Sequence, residues 1–161
     1  MAVGRGIGYK PLPDVSRHST HTYLDSKTVK GYAIWTLQDV IVLIAFLKDH
    51  VPGDGHKFKP AVLSGAETHL NQHLIKGGLK KAKGIKDKIR DLLAIYDAVM
   101  YLKTQVSGVH WDDVLGMDIG PEEEEIWEGI VAKHPDCAPF KHAGWEIFND
   151  IAELKPSKPK G

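Results

Sequence analysis

The sequence predicts an all-α fold, a three-helix core followed by a C-terminal helical extension, on two observations. Apolar residues recur at helical spacing in three successive stretches of the first two thirds, and Pro- or Gly-containing stops separate those stretches. No segment shows the alternation of a strand, and neither an internal repeat nor a heptad pattern is present. The first helix is expected over 36–49, where Leu37, Val40, Ile41, Leu43, Ile44 and Leu47 crowd together, Thr36 can cap the N-terminus and VPGDG stops the run. The second runs from 59 or 60 to about 73, opened by Pro60 and carrying Val62, Leu63, Ala66 and Leu70. Gly77 and Gly78 end it. The third, from 79 or 80 to 105, is the longest and turns Ile85, Ile89, Leu92, Leu93, Tyr96, Val99 and Met100 inward. A Gly- and Asp-rich stretch over 107–120, anchored by Trp111, leads to a fourth helix from Pro121, and a fifth element over 141–154 carries Trp145, Ile147, Phe148 and Ile151. Residues 1–30 and 156–161 lack periodicity and read as a flexible arm and a basic tail around one domain over 31–155.

Charge and cysteine usage restrict function. Lys plus Arg and Asp plus Glu number 21 each, so the molecule as a whole attracts neither nucleic acid nor an anionic membrane, and any attraction has to be local. A lone Cys137 excludes an intramolecular disulfide and a thiolate zinc cluster, which fits the reducing nucleus or cytosol. The longest apolar run, 40–47, falls far short of the roughly 20 residues of a membrane span. Glycines interrupt 1–10, where a signal peptide would be apolar.

The local attraction lies at the start of the third helix, LKKAKGIKDKIRD. Lys80, Lys81, Lys83, Lys86, Lys88 and Arg90 face only Asp87 and Asp91. Helical spacing puts Lys83, Lys86 and Arg90 on one outer stripe, with Lys81 and Lys88 flanking it. By charge alone a solvated face is the ordinary reading. Arg5, Lys10 and Arg17 in the arm, and Lys155, Lys158 and Lys160 at the other end, are further candidates for charge contacts. Opposed to these is the span 111–128, with Asp112, Asp113, Asp118, Glu122, Glu123, Glu124, Glu125 and Glu128 and no Lys or Arg. Carboxylates in the first turn after Pro121 complement a helix dipole, and the functional alternative is a docking face for a basic partner. His69 and His73, four apart, lack a third metal ligand at suitable spacing, as do His134 and Cys137, so no metal site is expected. GRGIG at 4–8 has no strand before it, and no nucleophile with a base is visible, so neither an enzyme nor a cofactor is expected. Trp111, Trp127, Trp145, Tyr96 and Phe148 read as core anchors.

Eight short motifs stand in a familiar order: Trp35-Thr36, Phe58-Lys59, Leu70-Asn71, SGVHWDD at 107–113, EEEEIW at 122–127, His134-Pro135, Pro139-Phe140-Lys141 and Gly144-Trp145. Together they resemble Myb/SANT-like domains over roughly 33–156, in the form abundant in mushroom-forming fungi and related to modules that accompany Harbinger-type transposases. The resemblance implies a helix-turn-helix core and a nuclear, transposon-derived or transcriptional DNA-binding module that contacts duplex DNA through the third helix. It departs where Myb-type repeats carry further tryptophans, since Leu63 and Ile89 occupy those positions. The DNA-binding residues it implies are Lys80, Lys81, Lys83, Lys86, Lys88 and Arg90. Lysines favour phosphate contacts over base readout. The alternative it implies is an adaptor that binds a histone tail, transposase or chromatin partner without touching DNA.

Overall fold

The computed structural model describes residues 32–52 and 57–155, so the expected arm and tail, with Arg5, Lys10, Arg17, Lys158, Lys160 and GRGIG, lie outside the described residues. Among the described residues are five α-helices, α1 (Leu37–Lys48), α2 (Pro60–Gln72), α3 (Ala82–Thr104), α4 (Glu124–Lys133) and α5 (Phe148–Ala152), with two 3-10 helices, Pro121–Glu123 and Pro135–Phe140. No strand accompanies them, only isolated bridges pairing Ala33 with Gly77 and Asp112 with Gly116. The fold is all-α. Two compact units divide these residues, one of 32–52, 57–97 and 147–155, the other of 98–146.

The first unit is built on α1, α2 and the N-terminal two thirds of α3. Thr36 caps α1: its hydroxyl accepts the Asp39 N–H at 3.1 Å, and the Asp39 carboxylate accepts the Thr36 N–H at 2.9 Å. α1 then buries Val40, Leu43, Ile44 and Leu47, α2 buries Leu63, Ala66 and Leu70, and α3 buries Ile85, Ile89, Leu92 and Ile95. The C-terminal segment returns to this core: Ile147, Ile151 and Leu154 are buried, Phe148 stacks on Tyr96 at 4.7 Å, and Lys48 pairs with Asp150 at 2.8 Å.

The turn between α2 and α3 is held by α2 itself. Asn71 grips the Lys80 backbone from both sides, its amide donating to the carbonyl at 2.9 Å and its oxygen accepting the N–H at 2.8 Å. One turn earlier, Glu67 accepts the N–H of Ala82, the first residue of α3, at 2.6 Å, satisfying one of the donors a helix start leaves open. α3 accordingly begins at Ala82 and not at 79 or 80, because the Lys80 backbone is taken by a side chain. Gly77, at φ +82°, lets the turn meet the chain entering α1; an added Cβ would stand 2.8 Å from the Ile34 backbone nitrogen.

In the second unit Val109, Met117, Ile119, Trp127, Ile130, Cys137, Phe140 and Trp145 are buried. Two irregular segments are stitched side by side: Met117 N–H donates to the Phe140 carbonyl at 3.0 Å, Ile119 N–H to Lys141 at 3.2 Å and Gly144 N–H to Val114 at 2.9 Å. Those bonds hold 141–144 out of helix, so the last helix spans only Phe148–Ala152 instead of the expected 141–154. The element expected from Pro121 does start there, with a 3-10 turn. Cys137 packs inside, its thiol 3.7 Å from the Ala98 carbonyl, and burial first, then Asp136, pushes that thiol up to about 11. The native protein should therefore react with a thiol reagent at pH 8 at least about 100-fold more slowly than the urea-unfolded chain, because the thiolate is scarce as well as enclosed. Equal rates in the two states would contradict this packing.

Candidate nucleic-acid interface

The six basic residues expected to form one surface separate into two groups. Lys81, Lys83, Lys86 and Arg90 are exposed. Lys80 and Lys88 are 1 % exposed and do not join them, which corrects the expectation that Lys88 flanks the outer stripe and that both belong to the DNA-binding set. Lys80 Nζ lies 3.2 Å from the buried Asp39 carboxylate, and its ammonium sits 5.3 Å from the centre of the Trp35 ring, with that of Lys88 5.6 Å from the same ring. Both cations are thus held by the quadrupole of Trp35, and Lys80 also by the charge of Asp39. The sequence does mark Lys88: it stands three residues after Ile85 and four before Leu92, inside the arc that α3 turns to the core. Lys80 had no such signal, since it precedes the helix and its direction is set by Asn71.

On the outer stripe, Lys83 pairs with Asp87 at 2.9 Å, while Arg90 reaches Asp87 at 3.2 Å and Asp91 at 3.3 Å. The hydrogen bond from Lys83, backed by the charges of Lys83, Arg90 and Lys86, holds the Asp87 carboxyl below the usual carboxylate range. With Lys83 and Arg90 side chains 86 % and 70 % exposed, these pairs are solvent-screened and worth little, so either cation can exchange a carboxylate for a phosphate at small cost. The stripe is part of a wider basic segment. From 57 to 90 stand nine cations, Lys57, Lys59, Lys76 and the six already named, against Glu67 and Asp87, an excess of seven. Lys57, Lys59 and Lys76 are exposed as well, and Glu67 is committed to the N-terminus of α3.

Compared with protein families, curated proteins and solved structures, the chain matches none.

Beside the stripe a groove of about 770 Å³ opens over an apolar floor that includes Phe58, Leu63, Leu93, Ala94 and Leu154, with Lys57, Lys86, Arg90 and Lys155 among its charged lining. Lys155 is tied to Asp97 at 2.8 Å. Among the described residues the lining holds no His, Cys, Ser or Thr, and Asp87, its carboxyl held low by the neighbouring cations, is a weaker base than a free carboxylate. His69 and His73 are spent on each other and on the backbone: their rings lie 5.0 Å apart, and His73 Nδ1 is 2.9 Å from the His69 carbonyl. Among the described residues no group of three metal-ligating side chains converges.

The acidic span belongs to the second unit, where ten carboxylates over 98–146 meet only Lys103, Lys133 and Lys141. Several of its carboxylates have structural duties. Asp112 accepts the N–H groups of Val114 at 2.7 Å and Leu115 at 2.8 Å, which lowers its own protonation range, Glu123 accepts the Gly120 N–H at 2.8 Å, and Glu124 pairs with Lys141. Trp127, Trp145 and Phe148 are buried as expected of core anchors, whereas Trp111 and Tyr96 are half-buried; the Trp111 indole N–H donates to Asp113 at 2.8 Å. Among the described residues no helix is long and apolar enough to cross a membrane.

Proposed function

We propose that this protein is a nuclear DNA-binding module of Myb/SANT-like type that holds duplex DNA through Lys81, Lys83, Lys86 and Arg90. The observation that carries the reading is the charge of the α2–turn–α3 segment, seven in excess, with seven of its nine cations exposed. α2 and α3 form a helix-turn-helix whose turn, 73–81, is longer than the usual three or four residues. Asn71 and Glu67 supply the rigidity that a short turn would otherwise give. A clamped helix bearing cations on an open stripe contacts phosphates without ordering them first, which reduces the entropy cost of binding. Arg90 alone offers the forked geometry that reads guanine, and Asp87 and Asp91 compete for it, so binding is expected to be largely independent of sequence.

Four neutralised phosphates give a salt dependence that loses roughly 100-fold in affinity between 50 and 200 mM salt. Replacing Lys83, Lys86 and Arg90 together by Glu should abolish the low-salt shift of a random duplex in gel electrophoresis, with the helical circular dichroism retained. A salt-independent shift, or one that survives the triple substitution, would refute the reading. The acidic second unit favours a second reading, an adaptor for basic peptides such as histone tails. That reading requires retention of a basic peptide and no duplex shift at low salt.

A further inference from the structure

The groove beside α3 and the exposed start of α4 are chemical complements, and we propose that they bind each other between two copies of the chain. The groove belongs wholly to the first unit. Ala94 is exposed on its floor and Phe58 and Leu93 are half-buried, so apolar surface faces water there. Lys57 and Lys86, also in its lining, form no ion pair among the described residues, although the charge of Lys86 is felt by Asp87.

The counterpart lies wholly in the second unit. Ile126 is 49 % exposed on α4, and Glu122 and Glu125, both exposed, precede it by four and one positions. Gly129, one turn further and also exposed, leaves the helix surface flat beside the isoleucine. One apolar side chain flanked by two carboxylates is what an apolar floor flanked by two ammonium groups accepts. Ile126 would enter over Ala94 and Leu93, with Glu122 and Glu125 toward Lys57 and Lys86.

Charge complementarity within the chain supports a second copy as the partner. The chain totals zero, yet seven excess positive charges lie within 57–90 and seven excess negative charges within 98–146. Two copies therefore do not repel as wholes, while these two faces attract. A single helical turn in one groove buries less than a standard interface of about 1,200–2,000 Å², so the association is weak and salt-sensitive.

The test is sedimentation of the full chain at low salt. From about 10 to 500 µM the average mass should climb from 17.8 kDa toward the dimer, and about 0.3 M salt should reverse it. Ala94→Trp fills the groove and Ile126→Glu spoils the helix face; both sites are exposed, and each variant alone should stay monomeric. Mixed in equal amounts they should form a one-to-one complex, because one retains the helix face and the other the groove. Lys86→Glu and Glu125→Lys provide a second pair with the same expected pattern, each weakened alone and restored in the mixture. A wild-type protein monomeric throughout, a variant that associates normally, or mixtures that form no complex would overturn the proposal. Ala94→Trp removes none of the stripe cations, so the duplex shift fails or survives independently of this result.

Discussion

Asp39→Ala should lower the stability of the protein by about 3–5 kcal/mol in urea unfolding, and Lys80→Met should change it by no more than about 1 kcal/mol, although the two residues form one buried pair. The asymmetry follows from what each deletion strands. Without Asp39, the Lys80 ammonium keeps the Trp35 ring but loses the carboxylate 3.2 Å away, and it has no well-aligned hydrogen bond elsewhere. Without Lys80, Asp39 still accepts the Thr36 N–H at the start of α1. Its charge then faces a helix N-terminus, where a carboxylate is favoured. The same alanine also removes half of the capping box, worth on the order of 1 kcal/mol by itself. A domain of this kind has only about 5–15 kcal/mol in total, so Asp39→Ala brings the protein close to unfolding at body temperature. Equal and small losses for the two variants would show that the pair is hydrated and that the burial of Lys80 has another cause.

That buried pair also shows where the sequence was legible. α1, α2 and the body of α3 follow from apolar spacing and from Thr36 and Pro60, because one broad face of each must leave water and nothing competes with the pattern. The outward stripe of Lys83, Lys86 and Arg90 follows from the same periodicity. Lys88 was legible too, but a lysine in the inward arc is read as solvated unless an aromatic face is available to receive it, and Trp35 lies more than fifty residues away in the chain. Lys80 was not legible at all. Its burial depends on three partners from three places, Asn71 on its backbone, and Asp39 and the Trp35 ring on its ammonium, and only the folded chain assembles them. The groove was equally hidden, because its floor draws on α2, α3 and the C-terminal segment at once.

Gly144→Ala should cost about 3–4 kcal/mol, although it adds only a single methyl group to the second unit. Gly144 has an ordinary backbone conformation, so the cost is steric: its Cβ would overlap the carbonyl oxygen of Asp113. Both sides of that contact are backbone, and neither can swing away as a side chain would. Relief requires parting the segments, which lengthens the bonds from Gly144 to Val114, Met117 to Phe140 and Ile119 to Lys141 together. The motifs around it have the same origin. Asp112 folds the loop by accepting two N–H groups, the rings of Trp111 and Trp145 lie on Phe140 at 5.9 and 6.4 Å, and Gly116 at φ +68° passes where a Cβ would meet the carbonyls of Phe140 and Ala143. Two glycines on control sites separate the causes. Gly108 has φ +88° but open space, so alanine there should cost only the left-handed strain of roughly 1–2 kcal/mol. Gly129, helical and unobstructed within α4, should gain about 0.5–1 kcal/mol as alanine. If thermal unfolding ranks Gly144→Ala no worse than Gly108→Ala, the two segments are not pressed together, and the Gly-Trp dipeptide owes its place to something other than this contact.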